Sequence, residues 1–307
     1  MKSSLLNKVI PFTFTSLALF CAAMNATAAN PSAEFELSAG AEQDSNLNVV
    51  ELDKNSNESD LATLLNAKVD ANWKPVEKLS LSGGYAYSTK LYQKNDSFNL
   101  AIHQLSADAN YDFDVLTAGA SYHYADALLD GKNFLDLRQT SFYVSKLIND
   151  KIYLRAATNI QDKKFSSLGD RDARNTGFSG DVFVFFNGGK TFVSVGAANE
   201  DENAKAKQFD YKGINFRSKL SHKFSVADVD NKVQVGVRYT KRDYSGITPE
   251  LKAERYDTSH VVDAEWEINF TSKVSLVTKV ERGTYNSNLK AADYDETRSS
   301  LLLKVRF

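Results

Sequence analysis

The chain has 307 residues, 37 Lys and Arg against 39 Asp and Glu, a formal net charge of −2 and one cysteine. That balance has no basic surplus of the kind nucleic acid requires, and a single cysteine excludes a disulfide framework. Mean hydropathy is −0.38, and beyond residue 28 no apolar run reaches the roughly 20 residues of a membrane-spanning helix.

Residues 1–28 read as a cleavable secretory leader. Lys2 and Lys8 make a positive start, Val9 to Ala23 is the apolar middle, and Ala26-Thr27-Ala28 supplies small residues for cleavage. Cys21 leaves with the leader, so the mature segment, 29–307, has no cysteine.

From there the chain alternates with period two, the signature of strands. The first strand runs from about Glu34 to Asn46, with Phe35, Leu37, Ala39 and Ala41 on one face. The second shows Leu61, Thr63, Leu65, Ala67, Val69, Ala71 and Trp73 on one face, against Asn66, Lys68, Asp70 and Asn72. A turn at Lys74–Glu77 leads to the third, with Leu79, Leu81, Gly83, Tyr85 and Tyr87 aligned. The fourth, Phe98 to Phe113, changes phase midway, which predicts a β-bulge near His103 or Gln104. The fifth carries Leu116, Ala118, Ala120, Tyr122 and Tyr124. The sixth, Leu135 to Leu147, turns into the seventh, Lys151 to Gln161. The eighth, Asn175 to Phe186, turns at Asn187-Gly188-Gly189, a hairpin signal, into the ninth, Thr191 to Asn199. The tenth, Phe209 to Phe224, shifts phase around Gly213, and the eleventh covers Lys232 to Arg242. The twelfth is the clearest: His260, Val262, Ala264, Trp266 and Ile268 oppose Ser259, Asp263, Glu265, Glu267 and Asn269. The thirteenth runs from Val274 to Tyr285, and the fourteenth ends on Phe307.

Connections at 74–77, 112–114, 148–150, 187–189 and 271–272 are short, and 225–231 is somewhat longer. Those at 47–59, 126–133, 162–174, 200–207, 243–255 and 286–295 are longer and polar. Short and long connections in alternation, an even strand count and one apolar face per strand predict an all-β protein. It is an antiparallel up-and-down transmembrane β-barrel of about 14 strands, with short periplasmic turns and longer extracellular loops. Lipid offers no partner to backbone polar groups, so such a sheet must close. The expected location is the bacterial outer membrane, in contact with its lipid and lipopolysaccharide. With no globular segment ahead of the first strand, a plug domain is not expected.

The inward series carries the candidate functional residues. Arg217, Lys219 and Lys223 lie on the tenth strand, and Arg238 and Arg242 on the eleventh. Asp263, Glu265 and Glu267 lie on the twelfth, Lys279 and Glu281 on the thirteenth, and Lys304 and Arg306 on the fourteenth. Two readings stand: a wall of cross-strand ion pairs, or a transverse field that orients polar solutes. Phe183, Phe185 and Phe192 break the polar rule of the inner face. They form either a contact for an in-folded loop, a local register slip, or an aromatic track for sugar faces or an apolar ligand. Among His103, His123, His222 and His260, none has Ser two residues later to pair as base and nucleophile on one strand face. His260 falls in the lipid-facing series. Asp170 with Asp172, and Asp293 with Asp295, are loop acids able to hold a divalent cation between lipopolysaccharides. No phosphate loop, metal-binding cysteine spacing or dinucleotide fingerprint occurs. No enzymatic activity, cofactor or metal site is expected.

The terminal strand, Glu296 to Phe307, places Val305 and Phe307 where barrel-assembly machinery reads an apolar residue and a terminal aromatic. In this it resembles the Gram-negative outer-membrane β-barrels of porin-like build, though Leu302 stands where those often have Gly. The segment Gly40-Ala-Glu-Gln-Asp-Ser-Asn46, with Arg282-Gly-Thr-Tyr-Asn-Ser-Asn288 and Tyr294 to Phe307, also resembles the barrel part of the surface lipoprotein assembly modifier family, whose members carry helical repeats ahead of the barrel. The first resemblance implies a passive channel for small hydrophilic solutes. The second implies a partner in export or assembly of a surface component. A structural or adhesive role would put function in loops 47–59 and 243–255.

Overall fold

The computed structural model describes residues 29–307; the secretory leader expected at 1–28 lies outside the described residues. In chain order the strands are β1 (Ala29–Asp44), β2 (Asn48–Val49), β3 (Lys54–Asn55), β4 (Asp60–Val76), β5 (Leu79–Tyr92), β6 (Leu100–Asp112), β7 (Thr117–Leu129), β8 (Lys132–Ile148), β9 (Ile152–Phe165), β10 (Ala173–Phe186), β11 (Thr191–Ala204), β12 (Tyr211–Val226), β13 (Val229–Thr248), β14 (Ala253–Asn269), β15 (Val274–Ser287) and β16 (Tyr294–Arg306). The strands β1 and β4 to β16 form one closed antiparallel barrel of 14 strands, each bonded to its neighbour in sequence. The ring closes where β1 meets β16, from Glu36↔Arg306 to Asp44↔Arg298. The remaining pair, β2 and β3, is a small hairpin inside the first long loop.

Alternation decides what meets lipid. Phe35, Leu37, Leu65, Trp73, Phe142, Val262, Trp266, Leu301 and Leu303 are all exposed on the outer face. In a soluble protein such a surface would be a liability; here it is the belt that lipid covers. The protein is therefore a bacterial outer-membrane barrel.

Two expected bulges do not form. β6 pairs with β5 in unbroken register from Leu79↔Tyr111 to Lys90↔Leu100. β12 pairs with β13 in unbroken register from Tyr211↔Tyr244 to Val226↔Val229. The apolar residues that seemed out of phase point inward at one mouth, where they have partners of their own. Ile102 packs with Ala125, Ala127 and Leu137, and Tyr211 packs at a tilt against Tyr244 with ring centroids 5.4 Å apart. The real register shifts lie elsewhere, including one between Trp73 and Val76. Pro75 has no N–H to give the ladder, so β4 runs through it with a break rather than turning at 74–77 as expected.

The long connections are shorter than the polarity of their residues suggests. The connection expected at 126–133 is a two-residue turn at Asp130 and Gly131, with φ of 50° and 71°. That left-handed pair matches the twist of a hairpin. The connection expected at 243–255 shrinks to 249–252, because β13 is 20 residues long. About 9–11 residues span a bilayer, so the wall stands above the membrane at this end. Loops 166–172, 205–210 and 288–293 likewise start later than the composition implies. Only 45–59 remains long, and it folds back on the barrel.

Candidate functional site

The inner wall of β12 to β16 and β1 is built from shared carboxylates. Glu267, on β14 and 3% exposed, accepts Arg306 at 2.6 Å and Lys304 at 2.8 Å, with Lys232 at 3.7 Å. Glu281, on β15, accepts Arg238 at 3.0 Å and Lys279 at 3.1 Å and forms an ion pair with Arg298 at 2.5 Å. Arg238 also approaches Asp263 at 3.9 Å. Arg306 reaches Glu36 across the seam at 3.2 Å. Arg217 pairs with Asp181 at 2.5 Å and Arg242 with Glu200 at 3.3 Å. Several of these pairs reach across an intervening strand, as Glu267 on β14 does to Lys304 and Arg306 on β16, so opposite charges meet along the wall. Glu265 and Lys219 share this face without a short ion pair among the described residues. The opposite wall is mostly neutral and polar: Gln161 bonds Gln139 at 3.1 Å, Ser141 bonds Asn159 at 2.7 Å, and Tyr143 bonds Asp108 at 3.0 Å.

Sequence reasoning omitted Arg298, although it lies in the same alternating series as Lys304. It also omitted the partners Glu36, Asp181 and Glu200, because alternation assigns a face but not the register that decides which inward side chains meet.

The three phenylalanines do come together. Ring centroids are 6.5 Å apart for Phe183 and Phe185, 6.3 Å for Phe183 and Phe192, and 6.2 Å for Phe185 and Phe192. Tyr153 meets Phe183 edge-on at 5.9 Å. The register is regular here, Phe183↔Ser194 and Phe185↔Phe192, so no slip produces the patch. It lies near the short turn 187–190, at the end away from loop 45–59.

That loop closes part of the other mouth. Leu47 and Val49 are buried at 0% and 2% exposure. Leu47 joins Ala62, Tyr92 and Phe98, whereas Val49 joins Leu129, Phe134 and Phe165 farther round the ring. Asn46 donates to the Asp295 carbonyl at 3.1 Å and Asn55 to the Ala291 carbonyl at 3.2 Å. At the tip, Asp53 accepts Arg171 at 2.5 Å and Arg255 at 2.7 Å. Below the tip is a cavity of about 40 Å³, bordered by Lys163, Glu202, Tyr211, Arg242, Tyr244 and Arg255 among others. Of this cluster only Arg242 is named from the sequence; Lys163, Glu202, Tyr244 and Arg255 fall in strand ends read there as loop, and Asp53 lies in a loop without period.

The remaining candidates are quiet. His103 bonds Tyr85 at 2.7 Å, His222 bonds Thr191 at 2.7 Å, and His260 lies 4.9 Å from the Tyr239 ring on the lipid-facing side. No group of three metal-binding side chains occurs among the described residues. Asp172 is engaged by Lys205 at 2.7 Å and by the Phe165 N–H at 2.8 Å. The lysine and the N–H hold its carboxyl below the usual range against mild desolvation. Asp295 pairs with Arg282 at 2.7 Å. Val305 pairs with Leu37 and Val274. Phe307 donates to the Phe35 carbonyl at 2.9 Å, tying the chain end into the seam.

No protein-family model and no curated protein matches the chain. Solved structures do. An anion-selective porin from Comamonas acidovorans superposes with a TM-score of 0.53 at 7% identity, over 91% of this chain and 99% of that one. OmpT folded in vitro, an outer-membrane protein of Vibrio cholerae, superposes with a TM-score of 0.52 at 11% identity, over 90% and 98%. At such identities the likeness is one of fold. The closed barrel, its lipid-facing belt and these likenesses define a porin-like outer-membrane β-barrel.

Proposed function

We propose that the protein is a passive diffusion channel for small hydrophilic solutes, narrowed at its outer mouth by loop 45–59. One observation carries this reading. The inner face of consecutive strands is lined by ionised groups that bridge strands, as at Glu267 and Glu281. Charges so placed are stable beside water and costly in a dry core. Paired on the wall, they leave the local field small in net charge yet strongly polar, which suits neutral and zwitterionic solutes as well as ions. The Phe183, Phe185 and Phe192 patch supplies the apolar faces on which a sugar ring rests. The reading involves no catalysis.

In this account the leader 1–28 directs export and is removed. Assembly machinery reads Val305 and Phe307, and lipopolysaccharide surrounds the loop end. Liposome swelling tests the channel. Proteoliposomes are expected to swell in small sugars and to swell less as solute size rises. No swelling with any solute contradicts it.

A further inference from the structure

The carboxylate of Asp53 is gripped as a bound ligand would be. Its two oxygens go to two different guanidinium groups, Oδ2 to Arg171 and Oδ1 to Arg255. Arg171 also donates to the Glu51 carbonyl at 2.6 Å, so it clamps the loop tip twice. Two planar forks on one planar carboxylate is the geometry by which proteins recognise organic acids.

The cradle does not depend on Asp53 for its shape. Arg255 is held from behind by Asp257, with Nε at 2.8 Å and Nη2 at 2.7 Å, and it lies 4.7 Å over the Tyr244 ring. Arg171 lies 4.2 Å over the Phe209 ring. Arg242 borders the same cavity, 4.6 Å over Tyr211, and its Nε is buried with no hydrogen-bond acceptor among the described residues. Around the cavity stand four cations, Lys163, Arg171, Arg242 and Arg255, against the carboxylates of Glu51, Asp53 and Glu202. Withdrawing Asp53 frees one guanidinium nitrogen on each of Arg171 and Arg255 beside the unused Arg242 Nε, while Asp257 and Glu200 stay on Arg255 and Arg242.

Apolar contacts hold the base of the loop and reach into the tip through Leu52, whereas the Asp53 side chain is held by charge. Leu47 and Val49 anchor the base in apolar clusters. Asp53 itself sits at φ 51°, a left-handed conformation that only Gly, Asn and Asp adopt readily. We propose that Asp53 is a tethered stand-in for a small organic acid. A carboxylate arriving from the loop side takes its place on Arg171 and Arg255 and loosens the tip, 50–55, which Leu52 and Asn55 still tether to the mouth. This deepens the channel reading by naming the solute class received there, and it rests on that reading.

The experiment uses the mature barrel in lipid nanodiscs and follows amide hydrogen exchange in sodium succinate and in sodium chloride at equal ionic strength. In the wild type, succinate is expected to speed exchange of 50–55 at least threefold over chloride, with the Leu47 and Val49 amides unchanged. Asp53→Asn keeps the left-handed preference and removes the charge. It should exchange fast in both salts and bind succinate at least tenfold more tightly than the wild type by calorimetry. Arg171→Gln, with the tip loosened but the cradle halved, should lose that binding. Equal exchange in the two salts for the wild type, or no succinate binding to Asp53→Asn, overturns the proposal. Conductance measured on the same samples judges the channel reading separately, because exchange and calorimetry need no current.

Discussion

A Cβ on Gly40 would lie 1.9 Å from the carbonyl oxygen of Leu301, across the seam where the first and last strands close the ring. No other side chain fits that approach without moving backbone. Gly40→Ala should therefore slow or prevent closure, and Gly40→Val should do so more severely. The measurement is the fraction of protein that migrates as a compact, heat-modifiable band after refolding into lipid. A folded fraction equal to wild type for both variants would show that the seam tolerates the bulk.

Glu281 gathers Arg238, Lys279 and Arg298, and is itself buried at 5% exposure. Glu281→Gln leaves these cations facing each other with a neutral partner. Breaking a buried, shared pair costs about 3–5 kcal/mol; water in the lumen lowers that, so a loss of about 2–4 kcal/mol is expected in reversible denaturant unfolding. A loss below about 0.5 kcal/mol would place Glu281 among ordinary surface pairs.

Ala227 occupies the first position of the two-residue turn between β12 and β13 at φ 48°, followed by Asp228 at 62°. Alanine gains nothing from that left-handed well, which costs an L-residue about 1–2 kcal/mol. Ala227→Gly or Ala227→Asn should raise stability by about 0.5–1 kcal/mol in the same unfolding assay. A destabilisation would show that the Ala side chain makes a contact worth more than the strain.

Acid should loosen loop 166–172. The Asp172 carboxyl is held below its ordinary 3.8 by Lys205 and the Phe165 N–H. A depressed acid pKa adds stability that is complete above the unfolded value and is lost as pH falls through the folded one. Amide protection of 166–172 should thus hold from neutral pH to about pH 4 and fall below it. In Asp172→Asn, the same protection should be lower at neutral pH and flat across that range. Loss of protection with identical pH dependence in the variant would assign the effect to other carboxyls.

Much of the barrel is readable from alternation alone. In β14, Trp266 and Glu267 part to lipid and lumen, because a strand exposed to water or ions on one side and lipid on the other needs both chemistries at period two. The rule fails where the inside is itself apolar. Ile102 and Tyr211 face inward at the mouth that loop 45–59 narrows, and that mimics a slip of phase in sequence. Pro75 reads as a turn, yet a strand can pass through it where the ladder is already broken. The mouth cluster gave up only Arg242 to sequence reading, for a different reason: Asp53 and Arg255 are 202 positions apart, and one lies in a loop without periodic pattern.

The most direct test of the account asks which face of β14 meets water that conducts. The sequence has one cysteine, Cys21, so single cysteines can be placed in the mature barrel without background. Asp263→Cys and Glu265→Cys are predicted to react with a charged, membrane-impermeant thiosulfonate and, on reaction, to lower single-channel conductance in planar bilayers. Val262→Cys and Ala264→Cys are predicted to stay unreactive in lipid with conductance unchanged. Reaction at all four positions alike, or the absence of any conductance before labelling, would contradict a water-filled lumen bounded by this wall.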